Sequence, residues 1–427
     1  MEVLRIALAI GAGICMAGAV YWLVALVRIG RELIRLARAE DGLALPEPTG
    51  GWPAVSVIVP AHNEQQLAPA CARALLASDY PRLQAIFVLD RCTDGTEAAL
   101  RPIADADPRL RIVVNGSCPP DWAGKCNAAR LGAEHADGEL LLFTDADTEF
   151  DPRLVRATAA LLRHRALSLL SLLPTLTAER FFERVSQPVA GLTLLRMYPI
   201  SSANRPSNPR VFANGQFLLF ERTVYEGLGG HAAVKDDLLE DIAFARAVRD
   251  RAGGRCGLFV AGPLLVVRMY ESLAAFVEGW KRIYIEACLR SPARLRRKAI
   301  EVLLLGIVQP AFELLTLVGG IAALAFADRG RAASEAAISS ASAADGTNGS
   351  SSSMLAAIAS WAIVLALLSF VERTAALFVC YRQSSSPAAG VFFYPLGSWH
   401  VFKSLWGGAR DLDRRRPVRW GGREYVL

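Results

Sequence analysis

Three short polar clusters follow apolar, β-branched runs in the first 150 residues. They are Pro60 to Glu64, Asp90 to Thr96, and Asp145-Ala146-Asp147. Two aspartates separated by one residue after a buried strand present carboxylates in the same direction, about 7 Å apart. Such a pair suits a hard divalent cation and its phosphate ligands. An isolated Asp-x-Asp is also typical of a solvated turn, so the preceding strand is what favours the metal interpretation.

Lys125 stands at the start of a predicted helix, in the segment Trp122 to Asn127. A helix N-terminus presents unpaired N–H groups and the positive end of the helix dipole, so a phosphate binds favourably there. An exposed lysine at an ordinary helix start is the competing interpretation. The glycine spacing is not that of a P-loop or a dinucleotide-binding fingerprint, which disfavours ATP hydrolysis and nicotinamide chemistry.

Short strands alternate with helices from Gly51 to about Tyr270. The predicted strands are Val55–Val59, Ile86–Leu89, Arg111–Val114 and Leu140–Thr144, and the predicted helices are Leu67–Ala77, Thr96–Ala106 and Lys125–Ala136. This alternation predicts an α/β fold with a mostly parallel sheet, which binds its ligand at the carboxyl ends of the strands. The three polar clusters are therefore expected at one edge of the sheet.

The composition is that of a chain that contacts a membrane. Hydrophobic residues make up 53% and charged residues only 21%, against about 45–50% and 25% in ordinary soluble proteins. The net charge of +6 is too small and dispersed to indicate a nucleic-acid partner. The eight cysteines form no C-x-x-C pair, which disfavours a zinc ribbon and a disulfide scaffold.

Three apolar segments are expected to span the membrane as helices. Ile6 to Val27 contains 22 residues without a charge, and the other two segments are Val302 to Ala327 and Met354 to Val371. A cleaved signal peptide is the alternative for the first segment, although its apolar run exceeds the usual length of about 7–15 residues. Arginines after the first segment, before the second and in the tail place those regions in the cytoplasm.

The predicted organisation follows from these segments. It comprises a transmembrane helix over 1–27, a basic linker over 28–50, a cytosolic catalytic domain over 51–270, an amphipathic basic segment over 271–298, transmembrane helices over 299–327 and 354–381, a flexible external loop over 328–353, and a re-entrant or interfacial segment with a basic tail over 382–427. Ala388–Trp406 is interrupted by Pro395, and a true fourth span is the alternative there. We expect a multi-pass protein of the cell (inner) membrane.

The apolar stripe from Leu273 to Cys288 has the i, i+3, i+4, i+7 spacing of a helix face. Two interpretations stay open at this point: a helix on the membrane surface, and a helix packed on the catalytic core. Either one brings the α/β domain near the lipid headgroups.

Together the motifs resemble the family 2 glycosyltransferases of GT-A fold, over about Trp52 to Trp280. The matching segments are Val55 to Glu64, Asp90 to Thr96, Gly124-Lys125, Asp145-Ala146-Asp147, Ala213 to Phe220, Gly229-Gly230-His231 and Glu240-Asp241. With membrane helices on both flanks, the pattern is similar to the membrane-bound ceramide-glucosyltransferase-like branch, near carotenoid- and hopanoid-associated glycosyltransferases. Leu89 departs from the aspartate that many relatives carry there, and Trp280 alone remains of the motif typical of processive synthases.

The resemblance implies a role for each matching residue. Those implied to bind the nucleotide sugar are Pro60, Ala61, Asn63, Glu64, Asp90, Asp94, Lys125 and Asp145. Asp145 and Asp147 are implied to hold Mg2+ or Mn2+ on the diphosphate, and Asp241 is implied to be the catalytic base, with Glu240 as the alternative. Those implied to lie on the acceptor side are Gly215, Gln216, His231 and Trp280. Without the resemblance, Glu240 and Asp241 would be interpreted as helix-capping acids.

The expected function is inverting transfer of a sugar from a nucleotide-diphosphate sugar, with a UDP-sugar favoured, to a lipid acceptor on the cytoplasmic face. The lipid is of isoprenoid, carotenoid, hopanoid or ceramide type. Transfer to polyprenyl phosphate or to a polysaccharide is the first alternative, and a non-catalytic membrane protein that binds sugar nucleotides is the second.

Overall fold

A computed structural model of the 427-residue chain describes residues 2–198, 200–205, 211–237, 239–340, 347–420 and 423–425. The chain divides into two compact units. The α/β unit comprises Ile34–Glu179, Thr193–Leu295 and Ser404–Leu427, and the helical unit comprises Met1–Leu33, Arg180–Leu192 and Arg296–Lys403.

The α/β unit is built on a seven-stranded sheet. The strands of the chain are β1 (Val55–Ala61), β2 (Leu83–Asp90), β3 (Leu110–Asn115), β4 (Leu140–Thr144), β5 (Thr148–Phe150), β6 (Leu169–Leu173), β7 (Thr175–Leu176), β8 (Phe217–Glu221), β9 (Cys256–Val260), β10 (Leu265–Val267), β11 (Val418–Trp420) and β12 (Arg423–Tyr425). The seven-stranded order is β3-β2-β1-β4-β8-β6-β9, with β5-β10-β7 as a smaller sheet and β11-β12 as a hairpin.

The first four strands of the large sheet are parallel, and β8 runs antiparallel to both β4 and β6. The inner strands are largely apolar because both faces of the sheet are covered. Along β1, Val57 and Val59 face one hydrophobic core with Leu75 of a flanking helix, while Ile58 faces a second core with Phe244 of another. The four predicted strands and the mostly parallel α/β sheet are therefore confirmed.

The helices are α1 (Glu2–Ile34), α2 (Ala68–Leu76), α3 (Thr96–Ala106), α4 (Gly124–Glu134), α5 (Leu154–His164), α6 (Phe181–Met197), α7 (Ile200–Ala203), α8 (Arg222–Gly227), α9 (Glu240–Asp250), α10 (Leu273–Ala287), α11 (Pro292–Leu303), α12 (Gln309–Ser340), α13 (Thr347–Gln383) and α14 (Tyr394–Asp413). Short 3-10 turns occupy Ala39–Ala44, Gly230–Val234, Gly262–Leu264 and Ala388–Phe393, and a π-helical turn, Leu304–Val308, joins α11 to α12.

In the described part of the chain, three helices are long and apolar enough to cross a membrane. They are Glu2–Ile34, Pro292–Ala332 and Ser353–Gln383, at the three predicted places. The first continues past Val27 into the expected linker. The external loop expected over 328–353 is shorter than predicted, because α12 continues to Ser340 and α13 begins at Thr347. The alanine-rich sequence before Ser340 has high helix propensity, and residues 341–346 lie outside the described residues.

The apolar stripe of α10 is buried inside the protein. Phe276, Trp280 and Tyr284 are each at most 4% exposed, and their rings contact one another in sequence. The last turns of α14 pack on this helix, since Ser404 Oγ donates to the Val277 carbonyl and Lys281 pairs with Asp411 at 2.9 Å. Of the two interpretations of the sequence, this packing agrees with the second, in which the helix packs on the protein core and not on the membrane surface.

Candidate active site

The three polar clusters that follow β1, β2 and β4 lie at one edge of the large sheet because of its strand directions. The parallel strands β1, β2 and β4 all end at this edge. Since β8 is antiparallel to β4 and Thr144 pairs with Phe217, the loop before β8 reaches the same edge. Thr144 Oγ1 fixes that loop by donating to the Gln216 carbonyl at 2.8 Å. Helix α9 supplies the remaining acids from its first turn.

Lys125 lies among the acids at the N-terminus of α4. Its Nζ is 2.6 Å from Asp145 Oδ1 and 3.6 Å from Glu240 Oε1. Burial acts to lower the pKa of Lys125, but Asp145 and Glu240 outweigh it, so the pKa lies above its ordinary value. Lys125 therefore stays protonated and supplies a fixed positive charge beside the Asp-x-Asp pair.

Asp147 has a buried carboxylate oxygen, Oδ1, without a hydrogen-bond partner. Burial and the neighbouring Asp145 raise the pKa of Asp147 to about 7. Burial and Asp145 also raise the pKa of Glu64. A buried oxygen with no donor is costly in a folded protein, and a cation beside it would remove that cost.

The donor set fits a divalent cation that is shared with a substrate. Within the described ranges, no group of three or more His, Cys, Asp or Glu side chains is arranged as a metal site. The protein thus offers Asp145 and Asp147, and the other oxygen ligands that Mg2+ or Mn2+ needs would come from phosphates and water.

Asp241 is held rigidly at the start of α9. Its Oδ2 accepts the Gly215 N–H at 2.7 Å, and its Oδ1 accepts the Ile242 N–H, also at 2.7 Å. Burial and the adjacent Glu240 raise the pKa of Asp241 to about 7, although the two N–H donors act in the opposite direction. The helix-capping interpretation is thus partly right, and the raised pKa also suits a general base at neutral pH.

Gly215 lies next to Asp241, Glu240 and Lys125. A Cβ at this position would lie 3.4 Å from Asp241 Oδ2, 3.5 Å from Glu240 Oε1 and 3.6 Å from Lys125 Nζ. In the segment Ala213 to Phe220, which resembles the family, the strand β8 begins only at Phe217, so Gly215 and Gln216 lie in the loop before it. In this loop the backbone lies next to the carboxylates of Glu240 and Asp241.

Asp90 is already fully engaged by protein donors, which the sequence did not show. Its Oδ2 accepts from Arg91 Nη2 at 2.6 Å and its Oδ1 accepts from Asn115 Nδ2 at 2.7 Å. Asn115 was missed because only its position at the end of β3, at the same sheet edge, indicated it. A nucleotide at this position would meet the whole Asp90–Arg91–Asn115 group rather than a lone carboxylate.

Two other predicted nucleotide contacts have structural partners. Asn63, at a positive φ of 58°, accepts the Thr93 N–H at 2.8 Å. Asp94 Oδ1 accepts the N–H of Thr96, the first residue of helix α3, at 3.0 Å. Pro60 and Ala61 form the last residues of β1, and Ala61 is 3% exposed. The side chains of Asn63 and Asp94 thus stabilise the turns that follow β1 and β2, and their contact with a nucleotide stays a prediction.

His231, which was expected on the acceptor side, lies buried in the core of the unit. The predicted turn is present, with positive φ at Gly229 and Gly230. The ring of His231 packs against Phe143 and Phe244, and burial lowers its pKa to about 3. Trp280 is likewise only 4% exposed, inside the stripe of α10. Both side chains are enclosed because their neighbours are aromatic and the faces they occupy are covered.

Replacing His231 with alanine should reduce stability and leave substrate affinity intact. The substitution removes a ring that bonds Tyr225 at 2.8 Å and fills the core, so a loss of about 2–4 kcal/mol is expected. Thermal unfolding of the detergent-solubilised protein measures this, and KM for the nucleotide sugar should stay within about twofold. A normal melting temperature with a raised KM would place His231 in contact with substrate.

The mostly parallel α/β sheet thus carries Lys125, Asp145, Glu240 and Asp241 at one edge. Residues 56–229 match the family model Glycosyl transferase family 2, and this segment is a family 2 glycosyltransferase domain with the expected GT-A type of fold. The match ends before Glu240 and Asp241.

Two curated proteins are similar in sequence to parts of this chain. A 4,4'-diaponeurosporenoate glycosyltransferase of Staphylococcus haemolyticus is 25% identical over 235 residues, which are 53% of this chain and 60% of that protein. An N-acetylglucosaminyltransferase of Sinorhizobium fredii is 32% identical over 115 residues, which are 26% of this chain and 27% of that protein. The match thus spans less than two thirds of either relative.

Among solved structures, a mannosyltransferase from Pyrobaculum calidifontis, in complex with GDP-Man and Mn2+, aligns with a TM-score of 0.45 and 22% identity. The alignment covers 85% of this chain and 99% of that chain.

Proposed function

We propose that the chain is an inverting glycosyltransferase that moves a sugar from a nucleotide-diphosphate sugar to a lipid acceptor at the cytoplasmic face of the membrane. The observation that carries the proposal is the convergence of Lys125, Asp145, Glu240 and Asp241 around Gly215. This arrangement places a fixed cation and a base of raised pKa within one small site.

The leaving group needs positive charge as its bond to the sugar breaks. Lys125 supplies one charge at a helix N-terminus, where the helix dipole adds to it. Asp145 and Asp147 would hold Mg2+ or Mn2+, which supplies further neutralisation of the diphosphate when bound. The unpartnered Oδ1 of Asp147 supports this assignment.

The acceptor needs to lose a proton as it attacks. Asp241 takes the proton from the acceptor hydroxyl while the hydroxyl oxygen bonds to the anomeric carbon and the diphosphate departs with the electrons of the broken bond. Attack opposite the leaving group inverts the anomeric centre. The two backbone N–H groups on Asp241 orient its carboxylate for this transfer.

The pH profile should report this base. Because Asp241 acts when deprotonated and its pKa is about 7, kcat/KM should fall about tenfold per pH unit below pH 7 and reach a plateau above it. The rate of transfer measured from pH 5 to 9 at saturating divalent cation tests this expectation. A rate independent of pH between 5 and 7 would contradict the assignment.

The three long apolar helices support a multi-pass protein of the inner membrane, with the catalytic unit in the cytoplasm. The arginine-rich flanks favour that orientation by the positive-inside rule. In this arrangement α14, which begins beside Pro395, is interfacial. A membrane-anchored catalytic unit favours a lipid acceptor, and one relative is named a 4,4'-diaponeurosporenoate glycosyltransferase. A UDP-sugar stays the favoured donor.

The product identifies the acceptor class. Membranes that carry the protein are incubated with labelled UDP- and GDP-sugars, and the product is isolated and its sugar chain length determined. One sugar on an extractable lipid is the expected result. A long polymer in the aqueous fraction would instead identify a polysaccharide synthase, and binding of the nucleotide without any product would identify a non-catalytic sensor.

A further inference from the structure

A network of buried polar side chains joins α1, α12 and α13 inside the helical unit. Trp22 Nε1 donates to Gln309 Oε1 at 3.0 Å, and Gln309 Nε2 donates to Glu313 Oε1 at 3.2 Å. Ser369 Oγ also donates to Glu313 Oε1, at 2.7 Å. Polar groups inside apolar helices are costly, and ionisable ones commonly mark a functional site.

Arg373 completes this network as the partner of Glu313. Its Nη2 and Nε donate to Glu313 Oε2 at 2.7 and 3.1 Å, and both side chains are less than 8% exposed. Glu313 is thus enclosed by donors from three side chains. Among the described residues, by contrast, no group accepts a hydrogen bond from Nη1 of Arg373.

A cavity of about 160 Å³ adjoins Arg373 in the same unit. Its other lining residues are Pro310, Phe370, Thr374, Val391, Phe392 and Pro395. The lining is apolar except for the guanidinium and the Thr374 hydroxyl, and the carboxylate of Glu313 is covered by its own donors. The charged group at the cavity wall is therefore the guanidinium of Arg373, which is also paired with Glu313. The volume corresponds to about five water molecules of about 30 Å³ each.

We propose that this cavity binds the phosphate of an anionic membrane phospholipid. A guanidinium with an unused N–H recognises a phosphate oxygen by a charge-assisted hydrogen bond, and basic pockets between membrane helices are suited to anionic headgroups. Phe392, at the cavity wall, is 73% exposed and offers an apolar surface to an acyl chain. The proposal rests on the membrane placement of the helical unit and not on the glycosyltransferase chemistry.

The test is lipid binding to the full-length protein in detergent, measured by native mass spectrometry. Phosphatidylglycerol and phosphatidylcholine with the same acyl chains are the probes. Phosphatidylglycerol should bind about tenfold more tightly, and Arg373→Gln should abolish that preference. Arg382→Gln removes one exposed charge from the same helix and is the matched control, which should keep the preference.

Two further variants keep the test decisive if Arg373→Gln does not fold. Glu313→Gln removes the only carboxylate that bonds Arg373 among the described residues, so binding of phosphatidylglycerol should become tighter. Thr374→Leu fills the cavity without changing charge and should weaken binding. Equal binding of the two lipids, equal effects of Arg373→Gln and Arg382→Gln, or displacement of the lipid by inorganic phosphate would each overturn the proposal.

Discussion

Asp241→Asn should lower kcat for sugar transfer by about 10²- to 10⁴-fold, the usual contribution of a general base. Asparagine has the shape of aspartate but cannot accept the proton of the acceptor hydroxyl. Because Lys125 and Asp145 are unchanged, the nucleotide sugar should bind with nearly its original affinity. Single-turnover transfer and equilibrium binding of the donor sugar measure the two quantities separately.

Asp250→Asn is the matched control for this substitution. Asp250 ends the same helix that Asp241 begins, and it forms an exposed ion pair with Arg249. The same chemical change there should leave kcat within about twofold, since exposed pairs contribute little. If both variants lose activity equally, the effect comes from helix α9 and not from a base. If Asp241→Asn is fully active, Glu240 becomes the candidate.

Asp147→Asn should remove the activation by divalent cations without destabilising the protein. Asp147 Oδ1 is buried without a donor, so loss of its charge removes a desolvation cost while it also removes a metal ligand. A metal contribution of about 3 kcal/mol corresponds to a loss of roughly 10²-fold in rate. Transfer is measured against Mg2+ and Mn2+ concentration, and stability is measured by thermal unfolding in EDTA.

Asp151→Asn is the control for the cation experiment. Asp151 lies four residues further on, where it pairs with Arg153 outside the site. That variant should respond to the cations as the original protein does. An unchanged cation response in Asp147→Asn, or a melting temperature well below the original, would contradict the assignment of Asp147 as a metal ligand.

The parallel part of the sheet could be predicted because its strands are short, apolar and separated by helical segments. Leu140–Thr144 was predicted at its observed bounds because five consecutive buried residues are bounded by polar ones. The antiparallel strand β8 begins later than expected, because Asn214 to Gln216 form the close approach to Asp241. This contact joins residues that are distant in the sequence, so the local sequence pattern cannot predict it.

The candidate site was predictable in its residue types and less so in its hydrogen bonds. Lys125 and Asp145 follow from their positions at a helix start and a strand end, whereas Asp241 was singled out only by the family resemblance. The engagement of Asp90 by Asn115 and the burial of His231 follow from packing between elements. The loop predicted over 328–353 is helical as far as Ser340. Its low-complexity sequence was interpreted as flexible, but alanine also has a high helix propensity.

The measurement that tests the central proposal most directly is the amount of labelled sugar in the organic extract of membranes that carry the protein. The extract is compared for the original chain, Asp241→Asn and Asp250→Asn, each with divalent cation and with EDTA. The account predicts lipid-phase label for the original chain and Asp250→Asn, only with the cation, and almost none for Asp241→Asn. Lipid-phase label that is independent of both Asp241 and the cation would contradict it.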